Sequence, residues 1–186
     1  MARSTNLALG LGLPVLLLAL YGGAHVVFYE TYRNVSFTEV AYDPVLFAGD
    51  LPSYITPEEF QRRVAAMGSG EVSVKDEQTS ESDPGRPPFK HTFMDVHGFT
   101  DIGFTGTLTA HFFNDRLAEV WFQAPNVHDY YDQLLHQRGI PSNEPRELRH
   151  GHLIIRLAMG PTGAPRVYME DERLTDEMKL WIKRYS

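Results

Sequence analysis

His150, Gly151 and His152 present the residue types most able to do chemistry in this chain. If the segment is a strand, positions i and i+2 share a face, and both imidazoles could meet one metal ion. A third ligand is required, and neither an HExxH pattern nor a paired-acid spacing supplies it. Both are therefore read as surface histidines. Glu58-Glu59 is an acidic pair, but it stands where a helix start wants carboxylates, which explains it without acid–base work. The stretch MGSGE, 67–71, lacks the Gly-x-Ser-x-Gly frame of a nucleophile elbow. GPTGAP, 160–165, is a turn rather than a phosphate loop, because no Lys-Ser/Thr pair and no helix start follow it. The sequence thus assigns no catalytic residue, no metal ligand and no cofactor, and the chain reads as a non-enzyme.

The bulk properties agree with a binding or structural role. The chain has 186 residues, enough for one ordinary domain once an N-terminal segment is set aside. Its 42% hydrophobic and 22% charged content is that of a globular protein. A net charge of -7 with no basic stripe argues against nucleic acid as a partner. The absence of cysteine excludes disulfides, thiolate metal sites and thiol catalysis.

Leu7 to Phe28 is an apolar run preceded by Arg3. As a helix it would be about 33 Å long against a hydrocarbon core of about 30 Å. Ala8, Gly12, Ala19 and Gly23 would fall within an arc of roughly 60° at about 100° per residue. Such a strip of small residues is how membrane helices approach one another closely. The expectation is therefore a transmembrane anchor over 1–28, with the N-terminus cytoplasmic and the rest periplasmic or extracytoplasmic. The competing expectation is a signal peptide, since Gly22 and Ala24 are small residues at a plausible cleavage spacing.

Residues 29–55 read as an extended aromatic arm in which Pro44 and Pro52 break any helix. A globular domain then spans 56–186. Thr56, Pro57 and Glu59 open a helix that carries Phe60, Val64 and Met67 on one side and stops at Gly68. Glu71 to Lys75 alternates as a strand, and the acidic, turn-rich DEQTSESDPGRPP that follows is expected to be a loop. Phe89 to His97, Gly103 to Phe113 and Arg116 to Gln123 form an antiparallel meander, with a tight turn at Asn114-Asp115. A second helix begins at Asn126, a hairpin runs from His152 to Glu170, and a last helix is expected to be capped by Thr175. The fold class is α+β, an antiparallel sheet of meander plus hairpin with about three helices on one of its faces.

The stretch FFNDRLAEVWF, 112–122, followed by a Tyr/Leu-bearing helix, resembles part of small bacterial outer-membrane assembly lipoproteins. The similarity covers about a third of the chain, which carries no lipid-attachment cysteine. Strict alternation from the Asn114-Asp115 turn puts Leu108, Phe112, Leu117 and Trp121 on one face and Phe113, Val120 and Phe122 on the other. A sheet covered on one side should be polar on its second. An apolar second face implies a partner face at Phe113, Val120 and Phe122, unless a bulge shifts the register or the arm folds over it. Together these features suggest a membrane-anchored, non-catalytic accessory or assembly subunit of a larger membrane complex, respiratory or photosynthetic being fitting kinds. Its partners would be other subunits and the lipid bilayer. The alternative is an exported soluble periplasmic domain, freed by signal cleavage, that binds a ligand or partner.

Overall fold

Asn114 and Asp115 both adopt positive φ, 48° and 58°, as a two-residue hairpin turn requires. The turn joins β3 (Phe104–Phe113) to β4 (Arg116–Gln123). Asn114 also ties the neighbouring chain down. Its Oδ1 accepts from the Lys90 backbone N–H at 2.7 Å, and its Nδ2 donates to the carbonyls of Phe37 and Pro88. The computed structural model describes residues 35–41, 43–80, 85–140 and 147–186. All the elements lie in one compact unit, Phe37–Ser186.

Seven antiparallel strands form one sheet. The remaining strands are β1 (Val72–Ser80), β2 (Phe89–Asp101), β5 (Glu147–His150), β6 (Leu153–Met159) and β7 (Pro165–Asp171), and the spatial order is β1-β2-β3-β4-β7-β6-β5. The expected meander and hairpin are therefore one sheet, joined where β7 pairs with β4. Two strands differ from expectation. β5 carries no period-2 signal over its four residues. β1 runs on through Asp76 to Ser80 into what reads as a loop, because an edge strand needs only backbone partners and tolerates charged side chains on both faces.

Helix α1 (Pro57–Ala66) starts as its sequence dictates: Thr56 Oγ1 accepts from the Glu59 N–H, and Pro57 takes the first position. Helix α2 (Val127–Gln137) buries Val127, Tyr130, Tyr131, Leu134 and Leu135, although Asn126 makes no side-chain cap. Helix α3 (Glu172–Tyr185) begins three residues before the expected cap. Asp171, the last residue of β7, caps it directly, and Thr175 turns its hydroxyl back to the Glu172 carbonyl.

The helices do not share one face. Phe60 of α1 packs edge-on to Phe112, and Tyr130 of α2 lies 4.5 Å from Phe122, ring to ring. Trp181 of α3 instead packs on Phe89, and Glu177 pairs with Arg116, both on the opposite side of the sheet. The first face holds the core, where Leu108, Phe112, Leu117, Val120, Phe122 and Val167 are all fully buried.

A transmembrane anchor is not borne out. Among the described residues no helix is long and apolar enough to cross a membrane. The longest, α3, has 14 residues, about 21 Å at 1.5 Å per residue, and ends in Lys183 and Arg184. This overturns the reading as a single-pass, membrane-held accessory subunit with the bilayer among its partners and its domain on the outer side. The stretch Leu7 to Phe28, with Ala8, Gly12, Ala19 and Gly23, lies outside the described residues.

A bulge at one inserted residue keeps the two sheet faces sorted. His111 pairs with Glu119 but Phe112 with Leu117, so Ala118 is an extra residue, a bulge. Beyond it Val120 and Phe122 turn into the core and Trp121 turns out. Phe122→Ala should cost about 3–5 kcal/mol, seen as a lower urea midpoint at unchanged slope. Deleting Ala118 should keep both faces and a cooperative unfolding transition, because regular alternation from Leu117 then turns Glu119 and Trp121 out and Val120 and Phe122 in without a bulge.

Candidate functional site

With the bulge in place, the face opposite the core is set by register. β2 contributes Phe89, His91, Phe93 and Asp95, and β3 contributes Phe113, His111 and Thr109 opposite the last three of these. β4 adds Glu119 and Trp121, β7 adds Glu170 and Tyr168 across from them, and β6 adds Arg156 beside Tyr168. Helix α3 closes only the end at Phe89 and Phe113, where Trp181 stacks 4.2 Å from Phe89 and donates its indole N–H to the Pro87 carbonyl. Farther along, Phe93, Trp121, Tyr168 and Arg156 stay partly exposed.

These rings form a continuous band across four strands. Phe93 stacks on His111 at 4.3 Å with the planes 10° apart. Phe93 lies 5.7 Å from Trp121, and Trp121 lies 5.6 Å from Tyr168. Guanidinium groups continue the band, Arg156 over Tyr168 and Arg166 over Trp121. Its carboxylates are committed to neighbours. Arg156 donates to Glu170 at 2.8 Å and lies 3.4 Å from Glu119. Asp95 accepts from the Thr109 hydroxyl and pairs with Lys75. Burial raises the Glu170 carboxyl above its usual range, with Arg156 opposing and Glu119 adding to the shift.

Under the rings lies a layer of nitrogens without partners among the described residues. His91 Nε2, both ring nitrogens of His111 and Trp121 Nε1 are buried with no hydrogen-bond partner. His111 Nδ1 lies 3.5 Å from Glu119 Oε2, beyond hydrogen-bond length. The two imidazoles meet edge to face at 4.8 Å. Burial, and after it the nearby His111, lower His91 from 6.5 to about 4, while Asp76 on β1 pulls the other way. His91 is therefore a neutral ring near pH 7, free to stack or donate.

The residues singled out from sequence are not brought together. Val120 and Phe122 are core, and Phe113 is fully buried on the other face, among Phe89, His91 and Arg116. His150 ends β5 and pairs with Leu153, while Gly151 (φ 60°) and His152 form the turn between, so the two histidines do not share one strand. Both are exposed. Among the described residues no group of three His, Cys, Asp or Glu side chains is placed to hold a metal ion. Glu59 pairs with Arg62 and Arg63 along its own helix. The residues sequence reasoning missed are His91, Phe93, His111, Tyr168, Arg156 and Arg166. The alternation of Phe89, His91 and Phe93 was a visible signal for part of the band. Comparison with known protein families, curated proteins and solved structures finds no match to this chain.

The histidine layer predicts a pH dependence. His91 binds its proton more weakly folded than unfolded. Its contribution to stability is therefore whole above the unfolded value near 6.5 and is lost as pH falls through the folded value near 4. Glu170, shifted upward, acts in the opposite sense. Urea midpoints measured from about pH 7 down to about pH 4 should thus fall more steeply in the wild type than in His91→Phe, which keeps the aromatic packing and removes the titration.

Proposed function

We propose that this chain carries a ligand- or partner-binding domain that works without catalysis, its binding surface being the open face of the sheet at Phe93, Trp121, Tyr168 and Arg156. The observation that carries the reading is the aromatic band itself. Large rings left partly exposed, side by side on rigid strands, supply contact area at little entropic cost. The charges beneath them are paired with one another through Arg156, Glu119 and Glu170, which suits a surface that orients a ligand. Those same pairings occupy the carboxylates that acid–base chemistry would need to keep free.

A fragment screen followed by amide chemical shifts tests this reading. Saturable shifts should concentrate on Thr109, Trp121, Tyr168 and Arg156. Trp121→Ala should remove them while destabilising the fold less than Phe122→Ala does. Fragments that bind reproducibly on the α1 and α2 side and leave this face untouched would refute it.

A further inference from the structure

Arg166 stands apart from the other arginines around the sheet. It is only 9% exposed. Its Nε donates to Gln123 Oε1 at 3.1 Å, and its guanidinium lies over the Trp121 ring at 5.9 Å. Among the described residues those are its partners, and no carboxylate is within ion-pair distance. Arg116, more deeply buried still, has Glu177 at 2.9 Å, and Arg156 has two glutamates. A nearly buried cation with no counter-ion carries an unpaid desolvation cost. Its two terminal nitrogens lack hydrogen-bond partners among the described residues, yet they are not sealed from solvent as the His111 nitrogens are.

The position is built. Gln123 and Arg166 are neighbours across β4 and β7, continuing the register Phe122↔Val167, so both lie on the face that carries Trp121 and Tyr168. Gly160 makes room for the guanidinium: a Cβ there would stand 2.7 Å from Arg166 Nε and 3.1 Å from Cζ. With Nε held by Gln123, Nη1 and Nη2 form the free end of the fork, the geometry that takes a carboxylate through two parallel bonds.

We propose that Arg166 anchors a carboxylate-binding site, and that the ligand is a small organic monoanion whose flat apolar body lies along Trp121 and Tyr168. This rests on the open-face reading and adds the chemistry of its ligand. A monoanion is favoured over a phosphate dianion because Glu119 and Glu170 lie on the same face and the chain's net charge is -7. Gln123 and Gly160 are positioning residues that act through Arg166.

Phenylacetate and its neutral isostere phenylacetamide separate the possibilities in an amide-shift titration of the full chain. Phenylacetate should give saturable shifts at Gln123, Arg166 and Gly160 and bind at least about tenfold more tightly than phenylacetamide. Arg166→Gln should abolish that preference, Arg166→Lys should keep part of it, and Gly160→Ala should weaken phenylacetate while leaving the charge in place. Inorganic phosphate should give no saturable shift there. Equal binding of acid and amide on this face would overturn the carboxylate proposal and leave the open-face reading standing. No saturable phenylacetate binding, unchanged binding in a folded Arg166→Gln, or phosphate binding at the same amides would also overturn it. Should Arg166→Gln fail to fold, the acid-to-amide ratio in the wild type and the Gly160→Ala titration decide.

Discussion

The two faces of the sheet keep their identities through the bulge that absorbs one extra residue. A strand alternates with period two, so one insertion moves every later side chain to the other side. Ahead of Ala118, Leu117 is core; after it, Val120 and Phe122 are core and Glu119 and Trp121 face away. The aromatic band and the Glu119–Arg156–Glu170 cluster exist because the bulge takes up Ala118 at that point. The bulge is itself fully buried, and alanine is small enough to be accommodated there.

The rest of the unit holds that sheet from its ends. Asp171 is fully buried and accepts from the Ser53 hydroxyl at 2.8 Å, from the Arg173 backbone N–H and from the Arg173 guanidinium. Arg173 reaches on to Asp43 at 2.7 Å. One carboxylate thus joins the end of β7, the start of α3 and the segment before α1. Tyr54 and Leu117 then hydrogen-bond through their backbones, with Leu117 donating in turn to Ile55, where β7 has already ended. Arg116 does similar work partway along α3, donating to the carbonyls of Phe37 and Glu39 while pairing with Glu177. With α3 fixed at its start and again at Glu177, the helix covers the rim of the second face and leaves its middle open.

Much of this was legible in the residue pattern, and the exceptions have physical causes. The Thr56-Pro57 helix start, the Asn114-Asp115 turn and the α+β class follow from local chemistry that tertiary contacts do not override. The run from Asp76 to Ser80 misled because its polarity is that of a loop, whereas an edge strand is held by backbone pairing alone. Thr175 looked like a cap, but the buried Asp171, four residues before it, is the stronger acceptor. The faces of β4 could not be read, since nothing in Leu117-Ala118-Glu119 announces an extra residue. Phe113, Val120 and Phe122 were grouped by a strict period that the bulge breaks. Arg166 was silent for a different reason: its significance is the missing counter-ion, which only the packed structure reveals.

The junction of β4 with β7 also bears on the order of assembly. β3 and β4 are joined by a two-residue turn and can meet early, because closing so short a loop costs little entropy. β4 and β7 are separated in the chain by α2, β5 and β6, and their pairing must wait for that long excursion to close. Trp121 and Tyr168 sit on either side of this seam, as do Gln123 and Arg166. The surface that would receive a ligand therefore comes into being at the slowest joint of the sheet, so occupancy at that seam reports a chain that has finished folding.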